Sequence, residues 1–300
     1  MNAALAPLDQ LNARMAVVEA CRSIGLDPTD AELVRLGENA IFRLLRGSIV
    51  ARVARSAARL PNAEREIRIS RWLQAEGIPV IRALELPQPI LAQGRVVVLW
   101  ESAADAEAYG TTAELGDILR RLHGLTLPAE LSMPLLHPVA SVRRRIAALS
   151  SLPEDDQSFL RARCEALDRA HQTLTFELPP GVVHGDANVG NLLRGWDGQA
   201  ILADLDGFGY GTREWDLVLT AMYYERYGWH TLEEYQEFAD AYGYDLLPVD
   251  CYRTLADLRE LIMVAWLAQN ASHDPKAMNE LAKRLATLRT GTGHRDWQPF

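Results

Sequence analysis

The sequence predicts an α+β fold in two lobes, a small β-rich lobe followed by a larger, mainly helical one. Three observations carry this. Across the first hundred residues, short β-branched runs alternate with turn residues around one strong helical segment. From Thr112 onward, apolar residues recur at three- and four-residue spacing in one segment after another. Among these helices lie two short apolar strands, Val182-Val183 and Ala200-Ile201-Leu202-Ala203, each leading straight into polar residues. The expected division is a first lobe over residues 1–100, a small, acidic hinge at 101–107 and a helical lobe over 108–300.

The elements follow in order. Leu8 to Ile24 carries Leu8, Leu11, Met15, Val18 and Cys21 at helical spacing and stops at Gly25. Glu32 to Leu45 passes through Gly37-Glu38-Asn39-Ala40 and reads as strand, turn, strand; Ser48 to Ala54 reads as a further strand. A helix is expected from Ala63 to Glu76, started by Pro61-Asn62 and closed by Gly77 and Pro79. Strands are expected at Val80 to Leu84 and Arg95 to Trp100. Helices then follow at Thr112 to His123, Val139 to Leu149 and Asp155 to Thr173. After the two short strands come helices at Glu214 to Tyr227, Leu232 to Tyr242, Cys251 to Ala271 and Pro275 to Arg289.

Composition narrows the function. With 48% hydrophobic and 24% charged residues, the 300-residue chain can bury a core and is not a disordered segment. Its net charge of −9 disfavours a nucleic-acid partner, which would call for a basic surplus, and suits a cationic one. Cys21, Cys164 and Cys251 are far apart and odd in number, as expected of a reduced, cytoplasmic protein. Asp9, Arg14 and Glu19 interrupt any signal segment, and the apolar run Leu261 to Ala268 is too short to span a bilayer. No membrane partner is expected, and the oligomeric state is left open.

The densest chemistry lies in His184-Gly185-Asp186-Ala187-Asn188-Val189-Gly190-Asn191. Thirteen residues after Asn191 comes Asp204-Leu205-Asp206, at the end of the second short strand. This is the spacing of a kinase catalytic loop followed by its metal-binding aspartate. One carboxylate faces the attacking hydroxyl; an amide oxygen and another carboxylate hold magnesium, a hard cation that keeps several waters. The competing explanation is a turn in which Asp186, Asn188 and Asn191 only bond backbone amides, which leaves the downstream aspartates unexplained.

These residues, with Gly209-Tyr210-Gly211 and Asp216-Leu217, resemble the aminoglycoside phosphotransferase and choline kinase family, which has the protein-kinase-like fold. Ala63-Glu64-Arg65-Glu66 with Trp72-Leu73, and Leu115 to Gly124, extend the resemblance over residues 33 to 270. It implies transfer of the γ-phosphoryl group of ATP or GTP, with Mg2+, to a small-molecule hydroxyl. Asp186 is then the catalytic base and Asn191 and Asp204 hold the metal. His184 supports the loop, Asp206 touches a second magnesium or braces the loop, and Asp216 anchors it. Arg52, with Arg55 as competitor, takes the place of the strand cation on the phosphates, and Glu66 orients it. Asn39, in the turn over the phosphates, and Leu99 and Glu101, beside the base, complete the nucleotide site; Trp100 is either a neighbour of the base or core. Acidic and aromatic residues after Asp216, namely Glu225, Glu233, Glu234, Asp257, Glu260, Tyr223, Tyr224, Trp229 and Trp266, are candidates for a cationic acceptor.

Rival readings are weaker. There is no Gly-x-x-x-x-Gly-Lys-Ser/Thr loop. Only eleven residues separate Asp204 from Asp216 and no Ala-Pro-Glu follows, too little for a protein kinase's activation segment. A nucleotide-binding pseudokinase with a regulatory role is the remaining alternative, and the intact Asp186, Asn191 and Asp204 speak against it. The acceptor is left open among aminoglycosides, other antibiotics, amino sugars, amino alcohols and nucleosides, and with it the choice between antibiotic resistance and metabolism.

Overall fold

A computed structural model describes residues 6–103, 108–149, 152–270 and 274–300. In chain order the elements are α1 (Gln10–Ser23), β1 (Glu32–Leu36), β2 (Ala40–Leu44), β3 (Ile49–Val53), α2 (Leu60–Ala75), β4 (Ile90–Ala92) and β5 (Arg95–Glu101). There follow α3 (Thr112–His123), α4 (Pro138–Ala147), α5 (Glu154–Gln172), β6 (Gly181–Val183), β7 (Leu192–Arg194), β8 (Ala200–Leu202) and β9 (Gly209–Gly211). The chain continues through α6 (Glu214–Met222), α7 (Leu232–Tyr242), α8 (Cys251–Asn270) and α9 (Pro275–Thr290). The residues group into two units: Met1–Thr111, Pro128–Leu131 and Val189–Gly207 form one, and the remainder forms the other. The stretch with Asn191 and Asp204 thus belongs with the first unit, although it lies beyond residue 108.

In the first unit an antiparallel sheet runs in the order β1-β2-β3-β5-β4. β2 and β3 alternate buried with half-buried residues, so Ala40, Phe42 and Leu44 share a face with Ile49, Ala51 and Val53. That face packs on α1. The helix is where expected, capped by Asp9, but it buries Ala13, Ala16, Val17, Ala20 and Cys21, while Leu11 and Met15 are exposed. Small side chains let helix and sheet approach closely, which apolar periodicity alone does not reveal. On the opposite face Val50 and Trp100 pack with Ala63 and Ile67 of α2. Arg52 alternates in register with Val50 and therefore shares that face.

Two details differ from expectation. Val80 to Leu84 is not a strand; it makes single bridges at Val80–Leu202 and Ala83–Trp100, and its Ile81 carbonyl accepts a hydrogen bond from the Ser70 hydroxyl. The edge of the sheet is instead the three-residue β4, which Pro87 and Pro89 concealed in the sequence. α2 starts at Leu60 rather than Ala63, because Pro61 lies in the first turn, where its missing N–H is not needed.

In the second unit α3 lies against α7, with Gly116 at the closest approach: a Cβ there would stand 2.5 Å from the Phe238 carbonyl. β6 pairs with β9, whereas β8 pairs with β7 in the first unit, so the two short strands belong to separate sheets. The expected helix over Glu214 to Tyr227 is α6 followed by one π turn, Tyr223–Tyr227, closed by Gly228. Residues 104–107 of the expected hinge, and Ala271 at the expected end of α8, lie outside the described residues. Among the described residues no helix is long and apolar enough to cross a membrane.

Candidate active site

The loop after β6 is anchored from below. Gly185 takes a φ of +87°, a backbone conformation that any side chain would strain, and turns the chain so that Asp186 faces outward. His184 is fully buried, its ring edge-on to Phe208 at 5.1 Å. Its Nδ1 accepts the Asp186 N–H at 3.3 Å, which ties the loop to its own histidine.

Asp216, wholly buried on the first turn of α6, holds the same loop. Its two oxygens accept the N–H groups of His184 (2.6 Å) and Gly185 (2.8 Å). A carboxylate can only accept, so Nε2 of the buried His123, 3.0 Å away, carries the proton between them, while Nδ1 meets the Tyr242 hydroxyl at 2.8 Å. Burial pushes the Asp216 carboxyl up; the bonds and charge from His123 and His184 outweigh it and hold the group below its ordinary value.

Arg259, on α8, completes the loop's supports. Its Nη1 donates to Asp186 Oδ1 at 3.2 Å, and its Nη2 donates to the carbonyls of Gly185 (2.9 Å) and Trp215 (3.1 Å). The guanidinium lies 3.9 Å from the centre of the Trp215 ring, and the indole N–H donates to the Gly185 carbonyl at 3.0 Å. The Arg259 side chain is 5% exposed, that of Asp186 52%. Tyr223, in the π turn, is close enough for the Asp186 charge to add to burial in raising its phenol above the ordinary value.

In the first unit the Ala203 N–H donates to the Asn191 carbonyl at 2.8 Å, which brings the turn carrying Asn191 to the end of β8, where Asp204 follows. Asp204 has a φ of +55°, a left-handed conformation that aspartate tolerates better than most residues and that is characteristic of functional positions. Asp204 and Asp206 are both exposed. Arg52 forms a charge-assisted hydrogen bond with Glu66 of α2 and lies 5.8 Å from the centre of the Trp100 ring. Arg55 is exposed beyond the end of β3, so Arg52 is the arginine that meets Glu66. Burial raises the Glu66 carboxyl; Arg52 opposes this, and the charges of Asp206 and Asp204 add to it. The oxygens of Asn191, Asp204 and Asp206 are the hard donors that magnesium prefers, and the charges of Asp204 and Asp206, which raise the Glu66 carboxyl, are what a divalent cation would offset. Among the described residues no three or more His, Cys, Asp or Glu side chains gather as a complete metal cage; magnesium needs only two such ligands beside phosphate oxygens and water.

The remaining nucleotide candidates separate. Asn39 is half-buried in the β1–β2 turn, where its carbonyl accepts the Gly37 N–H at 3.0 Å. Leu99 has partners within its own unit. Its N–H donates to Gln88 Oε1 (2.9 Å), its carbonyl accepts from the Leu84 N–H (3.0 Å) and Gln88 Nε2 (3.2 Å), and its side chain is in the core. Glu101 has an exposed side chain, while its N–H donates to the Arg82 carbonyl at 2.8 Å. Trp100 is core, 4% exposed.

Most acceptor candidates have partners within the fold. Glu260 meets Arg226 (2.9 Å), His294 (3.2 Å) and the Tyr227 hydroxyl (3.1 Å). Asp257 pairs with Arg226 and Arg163, and Glu225 accepts from the Tyr252 hydroxyl. Glu234 closes the capping box of α7 with Thr231, and Tyr224 stacks on Tyr235. Trp229 donates its indole N–H to the Trp297 carbonyl. Glu233 is exposed in the first turn of α7, and Trp266 is half-buried on α8. The residue that sequence reasoning missed is Arg259. Its signal was an arginine among Leu255, Leu258 and Leu261 on the buried side of a helix, a pattern that does not name its partner.

Comparisons with known proteins give the family and the fold. The model of the phosphotransferase enzyme family (APH) matches residues 33–261. No curated protein matches the chain. Among solved structures, the amicoumacin kinase hAmiN, in complex with AMP-PNP, Ca2+ and Ami, is 16% identical with a TM-score of 0.70, over 96% of this chain and 98% of that one. The microcompartment-associated aminopropanol kinase is 20% identical, TM-score 0.66, over 93% of this chain and 94% of that one. The aminoglycoside phosphotransferase APH(3'')-Id from Streptomyces rimosus is 23% identical, TM-score 0.63, over 85% of this chain and 99% of that one. At such identities the structural likeness is one of fold, a protein-kinase-like fold. Matched by the family model over more than half its length, the chain belongs to the phosphotransferase enzyme family and is a small-molecule kinase.

Proposed function

We propose that this enzyme transfers the γ-phosphoryl group of ATP or GTP to a hydroxyl of a small, amine-bearing molecule, with Asp186 as the base. The observation that carries the reading is the Asp186 carboxylate, half exposed on a loop whose supports, Asp216 and Arg259, are buried. The acceptor oxygen attacks the γ-phosphorus as its proton passes to Asp186. The bond to the β–γ bridging oxygen breaks, and the nucleoside diphosphate leaves with the electron pair. Asp186 returns the proton to solvent across its exposed side.

Arg52, directed by Glu66, binds the α- and β-phosphates, and main-chain N–H groups in the turn at Asn39 cover them. Asn191 and Asp204 would hold magnesium, which would supply neutralisation of the phosphate charge. Asp206 is exposed and, among the described residues, no hydrogen bond or ion pair holds it, which favours a second ion over a brace. Similarity of fold to a kinase solved with AMP-PNP and Ca2+ supports a nucleotide and a divalent cation. An amine on the acceptor is supported by the net charge of −9 and by the likeness to an aminopropanol kinase. Three buried cysteines without disulfides favour the cytoplasm.

The test is a coupled nucleotide-consumption screen across aminoglycosides, amino sugars, choline-like amino alcohols and nucleosides, with and without Mg2+. A substrate whose turnover needs Mg2+ and falls by roughly 10²–10⁴-fold in Asp186→Ala is the expected result. Undiminished turnover in Asp186→Ala would sink the assignment.

A further inference from the structure

We infer that Arg259 is a positioning residue for phosphoryl transfer, acting through Asp186 rather than on either substrate; the inference rests on the reading of Asp186 as the base. Four observations support it. The guanidinium is 5% exposed, so it is offered to the carboxylate and not to ligands. Its fork is divided: Nη1 holds Asp186 Oδ1, while Nη2 bridges the Gly185 and Trp215 carbonyls, so side chain and backbone of the loop are referred to one rigid plane. That plane lies over the Trp215 ring, and the same indole donates to the same Gly185 carbonyl. Finally, Arg259 is flanked along α8 by buried Leu255, Leu258 and Leu261, where an apolar side chain would avoid the cost of burying a charge. Two of its three hydrogen-bond acceptors are neutral carbonyls; the charge of the Asp186 carboxylate, and after it that of the buried Asp216, favours a cation there.

The consequence is that one Asp186 oxygen is held by Arg259, which restricts rotation of the carboxylate that would meet an incoming hydroxyl. Such control appears in kcat and not in nucleotide binding.

A double-mutant cycle tests it on the full chain, with the acceptor found in the screen and with Mg2+ and nucleotide present. Arg259→Gln is expected to lower kcat by about 10- to 100-fold, the size of a misplacement effect, with nucleotide KM changed less than about twofold. In the Asp186→Asn background the same substitution is expected to cost less than about twofold, because the group it acts through is gone. Arg259→Lys, which keeps the charge and loses the fork, should recover part of kcat. Equal losses in both backgrounds, wild-type kcat in Arg259→Gln, or loss of nucleotide binding in both Arg259 variants would each overturn the inference, the last by showing a structural role alone. Those results leave Asp186 as the base; full activity in Asp186→Asn removes that reading and this one together.

Discussion

Two arginine–carboxylate pairs, one in each unit, are built in opposite senses. In the first unit the acid is buried and the cation is the more accessible member: Glu66 has 4% of its side chain exposed and Arg52 17%. In the second unit the cation is buried and the acid is accessible, Arg259 at 5% and Asp186 at 52%. The reversal fits the proposed reaction. In that proposal an anionic polyphosphate meets a cation held from behind by a carboxylate, and a hydroxyl losing a proton meets a carboxylate held from behind by a cation. In each pair the buried member would give direction and the more accessible one would meet the ligand.

The comparison can be broken at its accessible ends first. Asp186→Ala should lower kcat by roughly 10²–10⁴-fold, the range of a lost general base, and leave nucleotide KM near its original value in steady-state assays. An unchanged kcat would show that the exposed carboxylate does nothing.

Asp216 comes next, as the anchor on which the second pair depends. Asp216→Asn leaves His123 and the loop amides facing a weaker acceptor, and a loss of about 3–5 kcal/mol in denaturant unfolding is expected of a broken buried pair. The sign of the pH effect follows from the lowered carboxyl of Asp216. Its stabilisation is present above the ordinary carboxylate range and is lost as pH falls through the lower folded-state value. Wild-type protein should therefore lose more stability on acidification than Asp216→Asn; parallel curves would remove the group from the account.

Glu66→Gln sharpens the first pair. Arg52 keeps its charge but loses its guide, so nucleotide KM should rise by about tenfold, near 1.4 kcal/mol, with a smaller change in kcat. A kcat effect with unchanged KM would place Glu66 elsewhere in the chemistry. The smallest effect is expected away from both pairs: Thr231→Ala removes the α7 capping box and should cost about 1 kcal/mol of stability with kinetics unaltered.

Much of the fold was legible because its signals are local. Asp9, Gly25, Pro61 and Thr231 mark helix ends through contacts within a few residues, so α1, α2 and α7 were placed to within three residues. The face that α1 buries was not legible, since alanines packed close to a sheet carry little hydrophobic signal. Val80 to Leu84 looked like a strand because its β-branched residues are real, but its hydrogen bonds go to Ser70 and to single bridges.

The sequence by itself determined the His184–Asn191 loop, the Asp204-Leu205-Asp206 pair that follows and the family they resemble, because spacing along one loop is a covalent property. Only the tertiary structure decided which side chains surround that loop. It brought Arg259 to Asp186 across 73 residues, paired the Leu99 main chain with Gln88, and placed Glu260 and Asp257 beside arginines. Buried charges and main-chain groups must find partners once water is gone, and packing of distant helices and strands determines which partners are within reach.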